Sequence, residues 1–189
     1  MSGDLAEIAA HPATPDKAAR KHVIARSIWF TVPGTIAVIG VTYNLIPPLG
    51  GLEEPIARLT LATRWLVVAM VPYAAVCLAI LGIRFFEGSH DPTRGGESDR
   101  LKIHCRVMQN TLEQLVWFAV CTFAIAPMLA PAEAHLVPIV CVLFLFARLV
   151  YWWGYLRIGT LGRAPGVQLT FTLNIFLLFF TLALLARRL

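Results

Sequence analysis

The sequence predicts an all-α integral membrane protein, and three observations support this fold class. Of the 189 residues, 58% are hydrophobic and only 14% are charged, and the mean hydropathy is +0.70. Soluble domains carry about a quarter charged residues, so a soluble chain of this size could not bury so much apolar surface. The apolar residues form five long runs without the period-two alternation of membrane β-strands. This pattern excludes disorder, a secreted disulfide scaffold and an ordinary cytosolic enzyme.

Each apolar run is long enough to cross the hydrocarbon core of a bilayer as a helix. A helix rises about 1.5 Å per residue and the core is about 30 Å thick. The runs are Ile28–Ile46, Trp65–Ile83, Val107–Ala130, Leu136–Trp153 and Gln168–Ala186. Prolines predict kinks or helix ends at Pro33, Pro72, Pro127 and Pro138. The sequence therefore predicts five transmembrane helices.

The distribution of basic residues predicts the orientation in the membrane. If all five runs cross, twelve of the 16 Lys and Arg residues lie on one side and four on the other. The positive-inside rule then places the N-terminus in the cytoplasm and the C-terminus outside, and in a bacterium the membrane would be the inner one. The net charge of +5 is interpreted as a topology signal and an attraction to the lipid surface, with no role in nucleic-acid binding.

The cysteines give no sign of a metal site or a redox motif. The four cysteines, Cys77, Cys105, Cys121 and Cys141, contain no CxxC pair. The interpretation is that they are buried free thiols. No metal ligand is therefore predicted from this sequence.

The third run begins with a polar stripe. At about 100° per residue, Arg106, Asn110, Glu113 and Trp117 share one narrow face of a helix. Ionisable groups at this depth cost several kcal/mol unless they are paired or hydrated, and they often mark a functional site. Two interpretations stay open: a ligand site, or an ion pair and an interhelical amide bond that hold the bundle together.

A second polar stripe ends the fourth run and continues into the next loop. Arg148, Tyr151 and Tyr155 share a helix face, and Gly154 allows a neighbouring helix or ligand to come close. The alternative is an interfacial aromatic belt with a snorkelling arginine. Arg163 follows on the same predicted side, before a Pro-Gly break, where it is either part of a site or a topology-setting charge.

These residue types suit a small anionic ligand that carries an amine. Arginine binds carboxylates in bidentate fashion, and the predicted face offers Arg106, Arg148 and Arg163, with Arg84 nearby. Glu113 could hold an ammonium group. A cation beside a thiol lowers the pKa of that thiol and favours the thiolate nucleophile. Glutathione, with two carboxylates, an ammonium and a thiol, is one molecule with these groups.

Two segments together resemble the MAPEG family, the membrane-associated proteins in eicosanoid and glutathione metabolism. They are RVMQNTLE at 106–113 and RLVYWWGY at 148–155. The resemblance covers roughly 65–186 and implies a four-helix transmembrane bundle of MAPEG type in 65–189. It leaves one extra N-terminal transmembrane helix and an external loop in 27–64, after a cytoplasmic tail in 1–26. It also implies a homotrimer that binds glutathione between subunits near the cytoplasmic side.

The resemblance also implies the roles of individual residues. The implied glutathione contacts are Arg106, Asn110, Glu113, Tyr151, Tyr155 and Arg84, and we add Arg148, which shares the face of the two tyrosines. Arg163 matches the arginine that activates the thiol, although it lies one residue further from Tyr155 than in leukotriene-C synthase. Gln114 stands where that synthase has a tyrosine.

The resulting hypothesis is a glutathione-dependent membrane transferase or peroxidase. It would act on lipophilic electrophiles that enter from the membrane lipid, through a thiolate that an arginine stabilises. The alternative is a non-catalytic lipid-binding or scaffold membrane protein of the same fold. Glutathione binding and turnover distinguish the two.

Overall fold

The structure, a computed structural model, describes residues 17–88 and 97–187, and these form five long helices. They are α1 Lys17–Leu45, α2 Pro55–Glu87, α3 Asp99–Ile125, α4 Leu136–Ile158 and α5 Ala164–Ala186, with a short 3-10 helix, Pro131–Glu133, before α4. No strand occurs in the described ranges. The predicted all-helical membrane fold is therefore confirmed.

The first two helices extend well beyond the apolar runs that predicted them. α1 begins at Lys17, inside the predicted tail, and α2 begins at Pro55 rather than at Trp65. Hydropathy detects only the part of a helix that suits hydrocarbon, whereas local signals set its start. In α2 a proline occupies the first turn, where its missing N–H costs nothing.

The third helix is shifted towards the N-terminus relative to its apolar run. Ser98 is its N-cap, and the Ser98 hydroxyl accepts a hydrogen bond from the Leu101 N–H at 3.1 Å. The helix ends at Ile125, two residues before Pro127. Pro33 and Pro72 instead lie inside α1 and α2.

Four of the described helical segments are long and apolar enough to cross a membrane. They are Ile24–Leu45, Pro55–Glu87, Pro131–Ile158 and Ala164–Ala186. α3 is not among them, because its polar stripe lowers its hydropathy. It nevertheless runs antiparallel to α2 along the bundle: Arg84 pairs with Glu97 at one end, and Arg58 donates to the Pro127 carbonyl at the other.

The helix termini alternate between two ends of the bundle. At one end, here called the Arg163 end, Gln168 of α5 donates to the Ser27 hydroxyl of α1 at 2.7 Å. At the other, the His135 end, the His135 Nε2 lies 3.1 Å from the carbonyl oxygen of Tyr43 in α1. α1 and α5 therefore run parallel, as five consecutive crossings require.

The apolar core is built mainly from α2 to α5, and α1 contributes only Ile39 to its buried residues, with Tyr43 packed against it. Phe118 and Phe144, both fully buried, stack at the centre with ring centroids 4.4 Å apart. A smaller cluster at the Arg163 end includes Tyr151 and Tyr155. Most described side chains of α1 are exposed, and it contacts only α4 and α5 to any extent. The two predicted site tyrosines thus lie at one end of a four-helix bundle.

Cysteine labelling from either side of the membrane tests the predicted orientation. In a chain whose four native cysteines are replaced by alanine, Arg157→Cys and Ala132→Cys place exposed thiols at opposite ends of α4. The asymmetry of basic residues predicts that a membrane-impermeant maleimide reaches Arg157→Cys only from the cytoplasm and Ala132→Cys only from outside. Labelling of both from one side would contradict a spanning α4, and the reversed pattern would contradict the orientation.

Candidate functional site

Three glycines bring the turn between α4 and α5 tightly against α4. A Cβ on Gly154 would lie 2.1 Å from the carbonyl oxygen of Gly162, and one on Gly166 would lie 2.4 Å from the Tyr151 nitrogen. Only glycine allows this approach. The close contact that the sequence predicted at Gly154 is therefore made by the chain's own turn, which carries Arg163 just before α5.

Arg148 is buried and connects three helices. It is 1% exposed, and its Nη2 donates to Asn110 Oδ1 at 3.0 Å and to Thr111 Oγ1 at 2.9 Å. Its Nη1 lies 3.5 Å from the Thr170 hydroxyl. The guanidinium also stacks on the Tyr151 ring, 4.1 Å from its centroid. Arg148, predicted as a ligand contact, thus uses its donors to join α3, α4 and α5.

Tyr155 is the point at which two further arginines meet. Arg106 Nη1 donates to the Tyr155 hydroxyl at 3.4 Å. The Arg163 guanidinium lies over the Tyr155 ring, with its carbon 5.0 Å from the centroid. The Tyr151 ring contacts the Tyr155 ring edge-on, with the two ring centroids 6.1 Å apart. Four of the predicted site residues, with Arg148 behind them, are therefore brought together at one end of the bundle.

The outer face of α3 carries exposed polar groups. Arg106 and Glu113 are exposed, whereas Asn110 is half-buried because it turns towards Arg148. Gln109 donates to the Glu113 carboxylate at 3.2 Å. In residues 17–88 and 97–187 Glu113 has no cationic partner, so the stripe contains no internal ion pair there. The amide of Asn110 holds helices together, and Arg106 and Glu113 remain available to a ligand or a neighbouring chain.

Among the described residues, Arg84 makes no hydrogen bond or ring contact with this group. Its Nη2 is 3.3 Å from Glu97 Oε1, in an ion pair between the end of α2 and the approach to α3. It also lines an outward-facing groove with Leu78, Leu81 and Phe85. Its role as a glutathione contact remains a prediction.

Two polar contacts were not predicted from the sequence. Thr111, the main acceptor for Arg148, is a threonine within an apolar run and gives no sequence signal of its own. Asn174 Nδ2 donates to Gln114 Oε1 at 3.0 Å, and both residues are buried. The sequence did contain a signal for this second contact, because two side-chain amides in neighbouring spans need hydrogen-bond partners in the membrane interior.

The fold and these contacts define an all-helical membrane protein with an arginine-rich polar site at one end of its bundle. The MAPEG family model matches residues 62–183, more than half of the chain. The chain therefore belongs to the MAPEG family. The matched region runs from α2 into α5 and leaves α1 outside it. No curated protein and no solved structure matches the chain.

Replacing Thr111 with valine tests the contribution of the Arg148 contacts. Valine has nearly the same shape, so Thr111→Val leaves buried guanidinium donors without an acceptor. We expect the free energy of unfolding in detergent to fall by about 1–3 kcal/mol. The matched control is Thr122→Val on the same helix, because Thr122 is equally buried and its hydroxyl has no partner among the described residues. Equal destabilisation by both variants would contradict the role assigned to Thr111.

Proposed function

We propose that this protein is a glutathione-dependent membrane transferase or peroxidase acting on lipophilic electrophiles. The observation that supports the proposal most is the meeting of Arg106 and Arg163 at Tyr155. The exposed carboxylate of Glu113 lies about two turns further along α3 from Arg106. Membership of the MAPEG family supports it as well.

The donor set suits glutathione chemically. Arg106 is exposed and offers guanidinium donors for a carboxylate. Glu113 offers an acceptor for an ammonium group, because it has no cationic partner in the described ranges. The Tyr151 hydroxyl, buried and without a partner in the same ranges, adds a further polar group. Asn110 and Arg148 have a structural role in the site, because their contacts hold α3 against α4.

Arg163 is the residue proposed to act on the reacting thiol. Bound glutathione would supply the sulfur nucleophile, which bonds to an electrophilic carbon while the leaving group departs with its electron pair. Arg163 would favour loss of the thiol proton by lowering the pKa of the thiol. Its position over Tyr155, at the start of α5, keeps the guanidinium at the same end as Arg106.

The active form is proposed to be a homotrimer. In a single chain the polar groups Arg106, Gln109 and Glu113 on the outer face of α3 would face lipid, which costs several kcal/mol. Contact with a second copy would cover them, and a ligand bound there would touch both subunits.

Substitution of Arg163 tests the proposed thiolate chemistry. We expect Arg163→Ala to raise the pKa of the bound glutathione thiol and to slow conjugation of a model electrophile by a factor of about 10 or more. The measurements are the ultraviolet absorbance of the thiolate against pH and the steady-state rate in detergent. The control is Arg157→Ala, because Arg157 is an exposed arginine at the end of α4. An unchanged thiol pKa and rate in Arg163→Ala would remove Arg163 from the mechanism.

Substitution of Glu113 tests ligand binding separately from chemistry. Glu113→Gln keeps the shape and removes the charge, so we expect glutathione affinity to fall about tenfold, as for the loss of one charge-assisted hydrogen bond. Glu54→Gln, an exposed glutamate at the His135 end, is the control and should bind as the wild type does. Isothermal titration calorimetry measures both. Tight glutathione binding without turnover in the wild type would favour the scaffold alternative, and no binding would contradict the proposal.

Native mass spectrometry in mild detergent tests the assembly. We expect a homotrimer, because burial of the polar face of α3 needs a partner surface. Chemical crosslinking in the native membrane is the control against dissociation by detergent. Monomers alone in both measurements would contradict a site shared between subunits.

A further inference from the structure

A groove runs along the outer seam between α1 and α5. We call it the α1–α5 groove. Its α1 wall is formed by Ile24, Ile28, Val32 and Ile36, and its α5 wall includes Phe171 and Ile175. The four α1 residues recur every four positions, so they form one continuous stripe along the helix. Two cavities of about 330 Å³ and 510 Å³ therefore follow one another along this seam, and both open outwards.

The length of the groove matches one leaflet of a bilayer. From Ile24 to Ile36 the helix rises about 18 Å. The hydrocarbon core is about 30 Å thick, so one leaflet accounts for about 15 Å. An acyl chain of a membrane lipid thus fits the groove from end to end, and its head would lie at the Arg163 end.

Apart from Thr172, whose hydroxyl donates to the Gln168 carbonyl of its own helix, the groove is apolar along its length and polar at one end. Arg163, Thr160 and Gln168 line it at the Arg163 end. In residues 17–88 and 97–187 Arg163 has no acidic partner, and it precedes the N-terminus of α5, where the helix dipole adds positive potential. The polar end therefore favours an anionic head group with acceptor oxygens.

Contacts at both ends of α1 hold it against the bundle, one with α5 and one with the residue that precedes α4. Gln168 donates to the Ile24 carbonyl and the Ser27 hydroxyl at one end. His135 stacks on Tyr43 at the other, with ring centroids 4.4 Å apart. Between these contacts Thr35 and Ile39 of α1 are buried, and the seam still contains the two cavities.

From this geometry we propose that the α1–α5 groove is a binding site for an anionic phospholipid of the leaflet at the Arg163 end. One acyl chain lies between α1 and α5, and the phosphate group contacts Arg163 and Thr160. The site goes beyond the glutathione chemistry proposed above, because its α1 wall lies outside the region that the family model matches. α1 serves to build this lipid site on the bundle.

Lipid retention in nanodiscs tests the proposal. The full-length protein is placed in discs with equal amounts of phosphatidylglycerol and phosphatidylcholine, and native mass spectrometry counts the lipids that remain bound. We expect one retained phosphatidylglycerol per chain. Arg163→Gln should reduce the preference for phosphatidylglycerol about tenfold, as expected for the loss of one charge-assisted hydrogen bond to the phosphate. Arg157→Gln should leave the preference unchanged.

A bulky substitution in the groove tests the contribution of the apolar wall to lipid binding separately from that of the Arg163 charge. Ile28→Trp should abolish retention of both lipids, whereas Val41→Trp should retain them, because Val41 is an exposed α1 residue that does not line the groove. Equal retention in these two variants, or no preference for phosphatidylglycerol in the wild type, would overturn the proposal.

Crosslinking in the wild type covers the case of a variant that does not fold. A phosphatidylglycerol with a diazirine in its acyl chain should label peptides containing Ile28, Val32 and Ile175 more than those containing Val41. Uniform labelling of the outer helix faces would overturn the proposal. Glutathione binding, measured on the same samples, shows whether the two sites fail together or separately.

Discussion

The polar end of this bundle depends on a single buried guanidinium. Arg148 is held by neutral partners from α3 and α5 and by the face of a tyrosine from its own helix. A buried charge without hydrogen bonds costs several kcal/mol, so these bonds fix the three helices in one arrangement. In that arrangement Arg106 of α3 reaches Tyr155 of α4. In the described ranges no carboxylate neutralises Arg148, so the end of the bundle keeps a positive charge that favours an anion.

The sequence predicted the number of helices well and the depth of their side chains poorly. Hydropathy averages over many residues, so five apolar runs identify five helices even where their ends differ by ten residues, as in α2. Spacing places Arg148 and Tyr155 on one face, but it does not distinguish a residue that lines a site from one buried behind it. That distinction depends on Thr111, whose hydroxyl turns the guanidinium inward and which resembles any other threonine of a span.

Packing around the site is tight where the polar groups must be positioned and loose where the helix meets lipid. Gly154 and Gly162 let the α4–α5 turn lie against α4 at backbone distance, which fixes the start of α5. The contact of α1 with α5 instead leaves cavities along its seam. In a membrane apolar side chains gain little by leaving lipid, so an open seam there is not penalised as it would be in water.

Arg163 belongs to both regions, and this bears on its spacing from Tyr155. By the resemblance, it lies one residue further from Tyr155 than in leukotriene-C synthase, and inside a helix one residue corresponds to a rotation of about 100°. In this chain residues 159–163 form a turn, because α4 ends at Ile158 and Gly159, with a φ of 73°, breaks the helix. A turn absorbs an added residue by changing its path. Arg163 consequently still reaches the Tyr155 ring, at 5.0 Å, while it also lines the groove beside α1.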